Sequence, residues 1–198
     1  MRRLIVSNIV SADGYYEGPG KDVAGLPFDG GFSAYNAERL RAADTLLVGG
    51  TSFAYFRDYW PAVADAPEAP PVERAIARMN NAIEKVAISD RLTAADTAPW
   101  DSARIVGRAD AHAAIADLKR RAGKDILVFG SRTLWNALLA AGLVDELHLL
   151  VGPRLLGAGT PVFSGHPPAT LRLLEARTLP ESQLVLLRYS AGPTVGVY

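Results

Sequence analysis

The chain has 198 residues, 49% of them hydrophobic and 21% charged, enough apolar material for a sizeable core in one large domain or two small ones. Lysine plus arginine balances aspartate plus glutamate at 21 each, so no excess of positive charge draws the chain to nucleic acid. Cysteine is absent, which excludes disulfides, thiolate catalysis and cysteine-ligated metals.

The opening MRRLIVSNIVSADG has the basic start of a signal peptide, but Ser7, Asn8, Ser11 and Asp13 interrupt the apolar run and no small-residue cleavage site follows. It reads as a buried first strand over Arg3–Val10. No segment reaches the length of a membrane span, and a soluble cytoplasmic protein is expected. Ala12–Gly31 is a long loop rich in Gly, Pro and Asp, the kind that carries function. Ser33 can cap a helix running to about Ala43. Thr45–Val48 is a second strand, closed by Gly49-Gly50, and a helix from near Thr51 should stop before Pro61.

Ala62–Val72 reads as a Pro/Ala loop, Glu84–Ile88 as a third strand ending at Ser89-Asp90-Arg91, and Ala103–Val106 as a fourth. Asp110 opens a helix with Ile115 and Leu118 inward, closed by Lys119, Arg120, Arg121 and Gly123. Ile126–Phe129 is a fifth strand, followed by a helix from about Ser131 to Gly142. Glu146–Val151, Leu171–Arg177 and Leu184–Tyr189 are strands without long helices between them, the last two a hairpin turned at Pro180-Glu181-Ser182. The order describes an α/β domain over residues 1–190, with a central mostly parallel sheet, flanking helices and a C-terminal antiparallel hairpin. Residues 191–198 read as a flexible tail.

Several motifs fail. Gly157-Ala158-Gly159 starts like a dinucleotide fingerprint, but Pro161, Val162 and Phe163 follow where a helix is needed. Gly18-Pro19-Gly20-Lys21 lacks the spacing of a P-loop. His112, His148 and His166 have no ligand spacing, and no metal is expected. What survives is a shared character at three strand ends: Gly49-Gly50-Thr51-Ser52, Ser89-Asp90-Arg91 and Gly130-Ser131-Arg132-Thr133. In a parallel sheet the carboxyl ends of strands lie on one edge, where ligands bind. Small residues there allow close backbone approach, and hydroxyls, free N–H groups and arginines receive phosphate oxygens. Serine and threonine at such places also serve as plain helix caps; three sites together favour a nucleotide with several phosphates. Asp13, at the lip after the first strand, is a candidate to relay a proton to a substrate, although a turn carboxylate is more often structural. Tyr15, Tyr16, Phe28 and Trp60 are candidate substrate contacts.

The succession VSADG, LLVGGTSF, ISDRL, VFGSRTLWNALLAAGLVDEL and PRLLGAGTPVF resembles one family, the C-terminal reductase domain of the bifunctional riboflavin-biosynthesis deaminase–reductase and its stand-alone relatives of dihydrofolate reductase-like fold. The resemblance spans about Arg2 to Tyr189. It implies NADPH as cofactor, a small-molecule substrate and a homodimer, with no nucleic acid or membrane partner. It implies Gly49, Gly50, Thr51 and Ser52 beside the adenosine and pyrophosphate, and Ser89 and Arg91 at the 2′-phosphate. Gly130, Ser131, Arg132, Thr133 and Leu134 would hold the pyrophosphate on a helix N-terminus. Asp13 would border nicotinamide and substrate as the catalytic candidate, and Gly157 and Gly159 would line the same pocket. Asp145 and Glu146 match the family's acidic pair, with a catalytic or a structural role open.

One departure stands out: Gly50 occupies the place of an arginine in the family's Gly-Arg-x-Thr strand end. With no cysteine and no room for a second domain, the zinc deaminase half is not expected. The implied activity is NADPH-dependent hydride transfer to a C=N or C=O bond of a pterin-, pyrimidine- or carbonyl-type compound. The alternatives are 5-amino-6-(5-phosphoribosylamino)uracil reduction in riboflavin biosynthesis and a nucleotide-binding protein without turnover.

Overall fold

The first strand, β1 (Leu4–Ser11), is buried along its whole length because it lies in the middle of the sheet. Leu4, Val6 and Val10 turn to one face and Ile5 and Ile9 to the other, the two-residue alternation of a strand covered on both sides. The computed structural model describes residues 1–165 and 169–193. His166 lies outside them, as do the last residues of the expected tail.

The sheet runs in the order β5 (Arg104–Val106), β4 (Glu84–Ile88), β3 (Ala43–Gly49), β6 (Asp125–Phe129), β1, β7 (Glu146–Gly152), β10 (Val185–Pro193) and β9 (Ala169–Thr178). From β5 to β7 every neighbouring pair is parallel. β10 is antiparallel to β7 and β9. On one face α4 (Ala111–Arg120) and α5 (Arg132–Ala140) bring Ile115, Leu118, Trp135 and Leu138 against Leu4, Val6 and Val128. On the other, α1 (Gly30–Ala42), α2 (Gly50–Asp65) and α3 (Pro71–Ala82) bring Leu40, Phe53 and Ile76 against Ile5, Leu46 and Leu127. A separate two-stranded flap pairs β2 (Tyr15–Glu17) with β8 (Thr160–Pro161).

Some boundaries differ from the sequence reading. Asp29, not Ser33, caps α1: its carboxylate accepts the Phe32 N–H at 3.0 Å and the Ser182 hydroxyl at 2.6 Å, tying the helix to the hairpin turn. α2 passes through Pro61 to Asp65, because Phe56, Trp60 and Ala64 pack on both sides of the proline. α3 occupies part of the expected Pro/Ala loop and the stretch after it, with Pro71 in its first turn and Ile76 and Ala77 buried. Ala191–Pro193 continue β10, paired to Leu171, Thr170 and Ala169, so the tail begins later than expected.

Charge gathers where the parallel strands begin. Asp145 accepts the Leu4 N–H at 2.7 Å and pairs with Lys119 at 2.6 Å. Glu146 meets Arg3 at 2.6 Å, His148 at 2.9 Å and Arg188 at 3.0 Å. An ionised Glu146 only accepts, so His148 Nε2 carries the proton and Nδ1 accepts from the Tyr35 hydroxyl at 2.8 Å. Burial pushes His148 down to about 4 against the pull of Glu146. Burial alone would raise Glu146, but hydrogen bonds from His148 and Arg188 and the charge of Arg3 hold it at about 2.

Between its ordinary 6.5 and about 4, His148 binds a proton in the unfolded chain and refuses it in the folded one. Folding therefore weakens as pH falls through that window, by up to roughly 3 kcal/mol. Glu146 adds its own loss below its ordinary 4.5. Urea unfolding at pH 6.5 and at pH 4 should show this decline, and His148→Asn should flatten it whatever its absolute stability.

Candidate functional site

β4, β3 and β6 are parallel neighbours, so the turns after Ile88, Gly49 and Phe129 open on the same edge of the sheet. After β6 the chain places Gly130 at φ 58° and Ser131 at φ 52°, two consecutive left-handed residues. For a serine this costs roughly 1–2 kcal/mol. The conformation aims Ser131 Oγ at the end of β3, where it accepts the Gly49 N–H at 3.0 Å. The first bond of α5 runs from Trp135 N–H to Ser131 O at 3.1 Å. The N–H groups of Arg132, Thr133 and Leu134 precede it, have no partner among the described residues, and face outward at the positive end of the helix.

These groups border a cleft of about 470 Å³, inside the range of roughly 300–1,000 Å³ typical of small-molecule and cofactor sites. Gly49, Gly50, Thr51 and Ser52 form one side, and Ser131, Arg132, Thr133 and Leu134 the next. Arg108, in the turn before α4, and His112, in its first turn, form a third. Tyr16, Glu17 and Thr160 close it from the flap, with Lys21 from the turn after β2. Two of the three strand ends singled out in the sequence thus converge.

The third contributes differently. Ser89 is buried and outside the lining, and its Oγ accepts the N–H groups of Arg91 and Leu92 at 3.1 and 3.2 Å. A Cβ on Gly50 would come within 2.8 Å of Ser89 Oγ, so the glycine and the serine at this corner fit each other. Arg91 is exposed and does not line the cleft; the cations that do are Lys21, Arg108 and Arg132. The Arg132 guanidinium is engaged, donating to the carbonyls of Pro161 and, at 3.1 Å, Phe163. Asn136 adds to that clasp, donating to Val162 O at 3.0 Å and accepting the Ser164 N–H at 2.8 Å.

Asp13 does not line the cleft. Its carboxylate accepts the Ser11 hydroxyl at 2.6 Å and the N–H groups of Gly157 at 2.8 Å and Leu156 at 3.1 Å. The bonds from Ser11 and Gly157 hold it below the usual carboxylate range. An ionised acceptor has no proton to give at neutral pH, so this geometry makes Asp13 the anchor of the loop after β7. Gly157 and Gly159 lie outside the lining as well. Gly159, at φ 131°, presses against the flap: a Cβ there would sit 2.1 Å from Glu17 O. Their neighbour Thr160 reaches the cleft and donates to Glu17 at 2.8 Å. Asp145 and Glu146 belong to the opposite edge of the sheet, in the ion-pair network there. Of the aromatic candidates Tyr16 lines the cleft, whereas Phe28 packs on Phe32 and Trp60 joins the core below α2.

Arg108, His112, Glu17 and Thr160 were not among the candidates. His112 and Arg108 flank the start of a helix that the sequence does mark, at Asp110. Thr160 meets Glu17 through a strand pair separated by most of the chain, for which no local pattern exists.

With this geometry in hand, the RibD C-terminal domain model matches residues 2–185. The chain belongs to the RibD C-terminal domain family. It is 30% identical over 165 residues to the uncharacterized protein YyaP of Bacillus subtilis (strain 168), covering 82% of this chain and 80% of YyaP. A putative riboflavin biosynthesis protein from Shewanella sp. PV-4 superposes with a TM-score of 0.65 at 19% identity, over 96% of this chain and 98% of its own. A diaminohydroxyphosphoribosylaminopyrimidine deaminase/5-amino-6-(5-phosphoribosylamino)uracil reductase from Thermotoga maritima gives 0.63 at 12% identity, over 96% of this chain and 56% of that longer one. At these identities the two structures speak for the fold, the dihydrofolate reductase-like arrangement of RibD-type reductase domains. Among the described residues no helix is long and apolar enough to cross a membrane.

The flap contact at Gly159 is open to direct test. Gly159→Ala should cost at least ~2 kcal/mol of stability, a fall in Tm of roughly 4–8 °C for a chain of this size. It should also open the β2–β8 flap to limited proteolysis; an unchanged melting curve would contradict the packing described.

Proposed function

We propose that this RibD C-terminal domain protein is an NADPH-dependent reductase, delivering hydride to a C=N or C=O carbon of a small substrate in the cytoplasm. The observation that carries the reading is the row of unpaired N–H groups on α5, set behind a strained Gly130-Ser131 turn inside a cation-lined cleft of cofactor size. The residues present fit a dinucleotide phosphate. NADPH supplies the hydride when bound; the protein binds, orients and excludes water.

The N–H groups of Arg132, Thr133 and Leu134 would take the pyrophosphate oxygens. Arg108 and His112, placed in the cleft where Arg91 is not, would take the 2′-phosphate and offset the arginine missing at Gly50. Asp13 would orient the loop at Leu156–Gly157 and leave proton delivery to another group.

A narrower reading, 5-amino-6-(5-phosphoribosylamino)uracil reduction, is favoured by a second pocket of about 350 Å³ between Ala24–Pro27 and Arg154–Leu156. Arg154 would supply it with a cation for a ribose phosphate. Turnover of that compound, against a panel of pterins and simple carbonyls, separates the narrow reading from the broad one.

We also propose that the protein works as a homodimer joined through the open face of β10 and β9, which continues the covered face of β7. The register puts Val151, Leu149 and Leu147 opposite Val185, Leu187 and Tyr189, and Leu187, Tyr189 and Ala191 opposite Ala176, Leu173 and Leu171. That face is apolar across three strands; Leu173 is 53% exposed. At strand spacings of ~4.8 Å and ~3.3 Å per residue the open part on β10 and β9 spans roughly 200 Å² in projection. That is the apolar centre of an interface needing about 600–800 Å² per partner. Without charge it suits a second copy of itself in an isologous sheet-on-sheet contact.

Titration followed by nicotinamide fluorescence should show NADPH binding; binding of neither NADPH nor NADH would sink the cofactor assignment. Arg108→Ala should weaken NADPH roughly ten- to a hundredfold more than NADH, while Arg91→Ala changes both little. For the dimer, sedimentation should give twice the chain mass for the wild type and a monomer for Leu173→Lys.

A further inference from the structure

Tyr16 is the one aromatic candidate that reaches the cleft, and it does so from the flap, across from α5. Its ring packs on the main core while its hydroxyl has no partner among the described residues. That hydroxyl lies 3.2 Å from the point a Cβ on Gly130 would occupy, and Ser52 Oγ lies 3.8 Å from the same point. Gly130 itself presents bare backbone there. Two hydroxyls from different elements therefore converge beside the turn that leads into the unpaired N–H groups of α5.

The placement of Tyr16 is enforced from several sides. Val162 N–H donates to Gly14 O at 2.9 Å, Thr160 to Glu17 at 2.8 Å, and Arg132 to the carbonyls of Pro161 and Phe163. The first residue of α5 thus holds the strand that pairs with the strand carrying Tyr16. Burial, with the nearby charge of Glu17, pushes the Tyr16 phenol up to about 12. At neutral pH it is an O–H donor and carries no negative charge to repel an anion.

We propose that Tyr16 is a cofactor-binding residue, its hydroxyl donating to a phosphate oxygen of the NADPH pyrophosphate from the side opposite α5. This rests on the cofactor assignment above and extends it: the flap and the helix N-terminus grip the same group from two sides, and Arg132 acts by holding the flap in place.

The test is Tyr16→Phe, which removes one oxygen and keeps the ring. Two probes are titrated against wild type and variant: NADPH, and adenosine 2′-monophosphate, which carries the 2′-phosphate but no phosphate at the 5′ position. The expected result is about a tenfold weaker Kd for NADPH, an unchanged Kd for adenosine 2′-monophosphate and an unchanged melting temperature. Equal NADPH affinity in variant and wild type would overturn the proposal, as would equal weakening of both probes, which marks a purely structural effect. Failure of the wild type to bind either probe overturns the cofactor assignment itself and this inference with it.

Discussion

Ser131 stands at the start of α5 in a left-handed conformation, and its Oγ accepts the Gly49 N–H from 82 positions earlier in the chain. The bond is between two strand ends that the parallel sheet already sets side by side. Its consequence is directional. With the serine turned toward β3, the first residues of α5 and the Gly49-Gly50 corner border one cleft. A serine in an ordinary helical cap would turn inward to its own helix and satisfy one of those N–H groups. The strain at Ser131 and the open helix end are two aspects of one arrangement.

A formal net charge of zero conceals a separation. At the edge where the parallel strands begin, Arg3, Lys119 and Arg188 are matched by Asp125, Asp145 and Glu146 in short ion pairs. At the opposite edge Lys21, Arg108 and Arg132 border the cleft with Glu17 as the one carboxylate in its lining. Paired charge fastens the base of the sheet, where Asp145 also holds the β1 backbone. Cations are left near the open helix end, where an anion gains from both. The same residue types therefore do opposite work according to which end of the strands they occupy.

The flap ties these parts together. Asp13 holds the loop after β7, Gly159 allows that loop to touch Glu17, and Arg132 and Asn136 fasten it to α5. Groups that read in isolation as catalytic carboxylate, nucleotide glycines and phosphate-binding arginine serve here to place one wall of the cleft. Arg132 illustrates the physical point. Its backbone N–H is free at the helix end, while its side chain, the more conspicuous feature in the sequence, is committed to carbonyls of the flap.

Local patterns were enough for the strands of the parallel sheet, which are short apolar runs bounded by small polar residues, and for the cores of α4 and α5, where Ile115, Leu118, Trp135 and Leu138 recur at helical spacing. They were enough also for Gly49–Ser52 and Ser131–Leu134 as cleft residues, because a strand end in a parallel sheet has only one edge to face; Gly130 lies just outside the lining. α3 escaped because its prolines masked an N-terminal signal, and the passage of α2 through Pro61 rests on packing that no local propensity contains. The partners of side chains were beyond reach for the same reason. Whether Asp13, Arg132 or Glu146 is free to act depends on which donors and acceptors lie within 3 Å or so of it, and those come from Gly157, Phe163 and Arg3, remote in the chain. The sequence by itself determined the class of fold and the edge of the sheet on which the cleft opens. Only tertiary structure decided which of the polar groups at that edge are already satisfied and which remain open to a ligand.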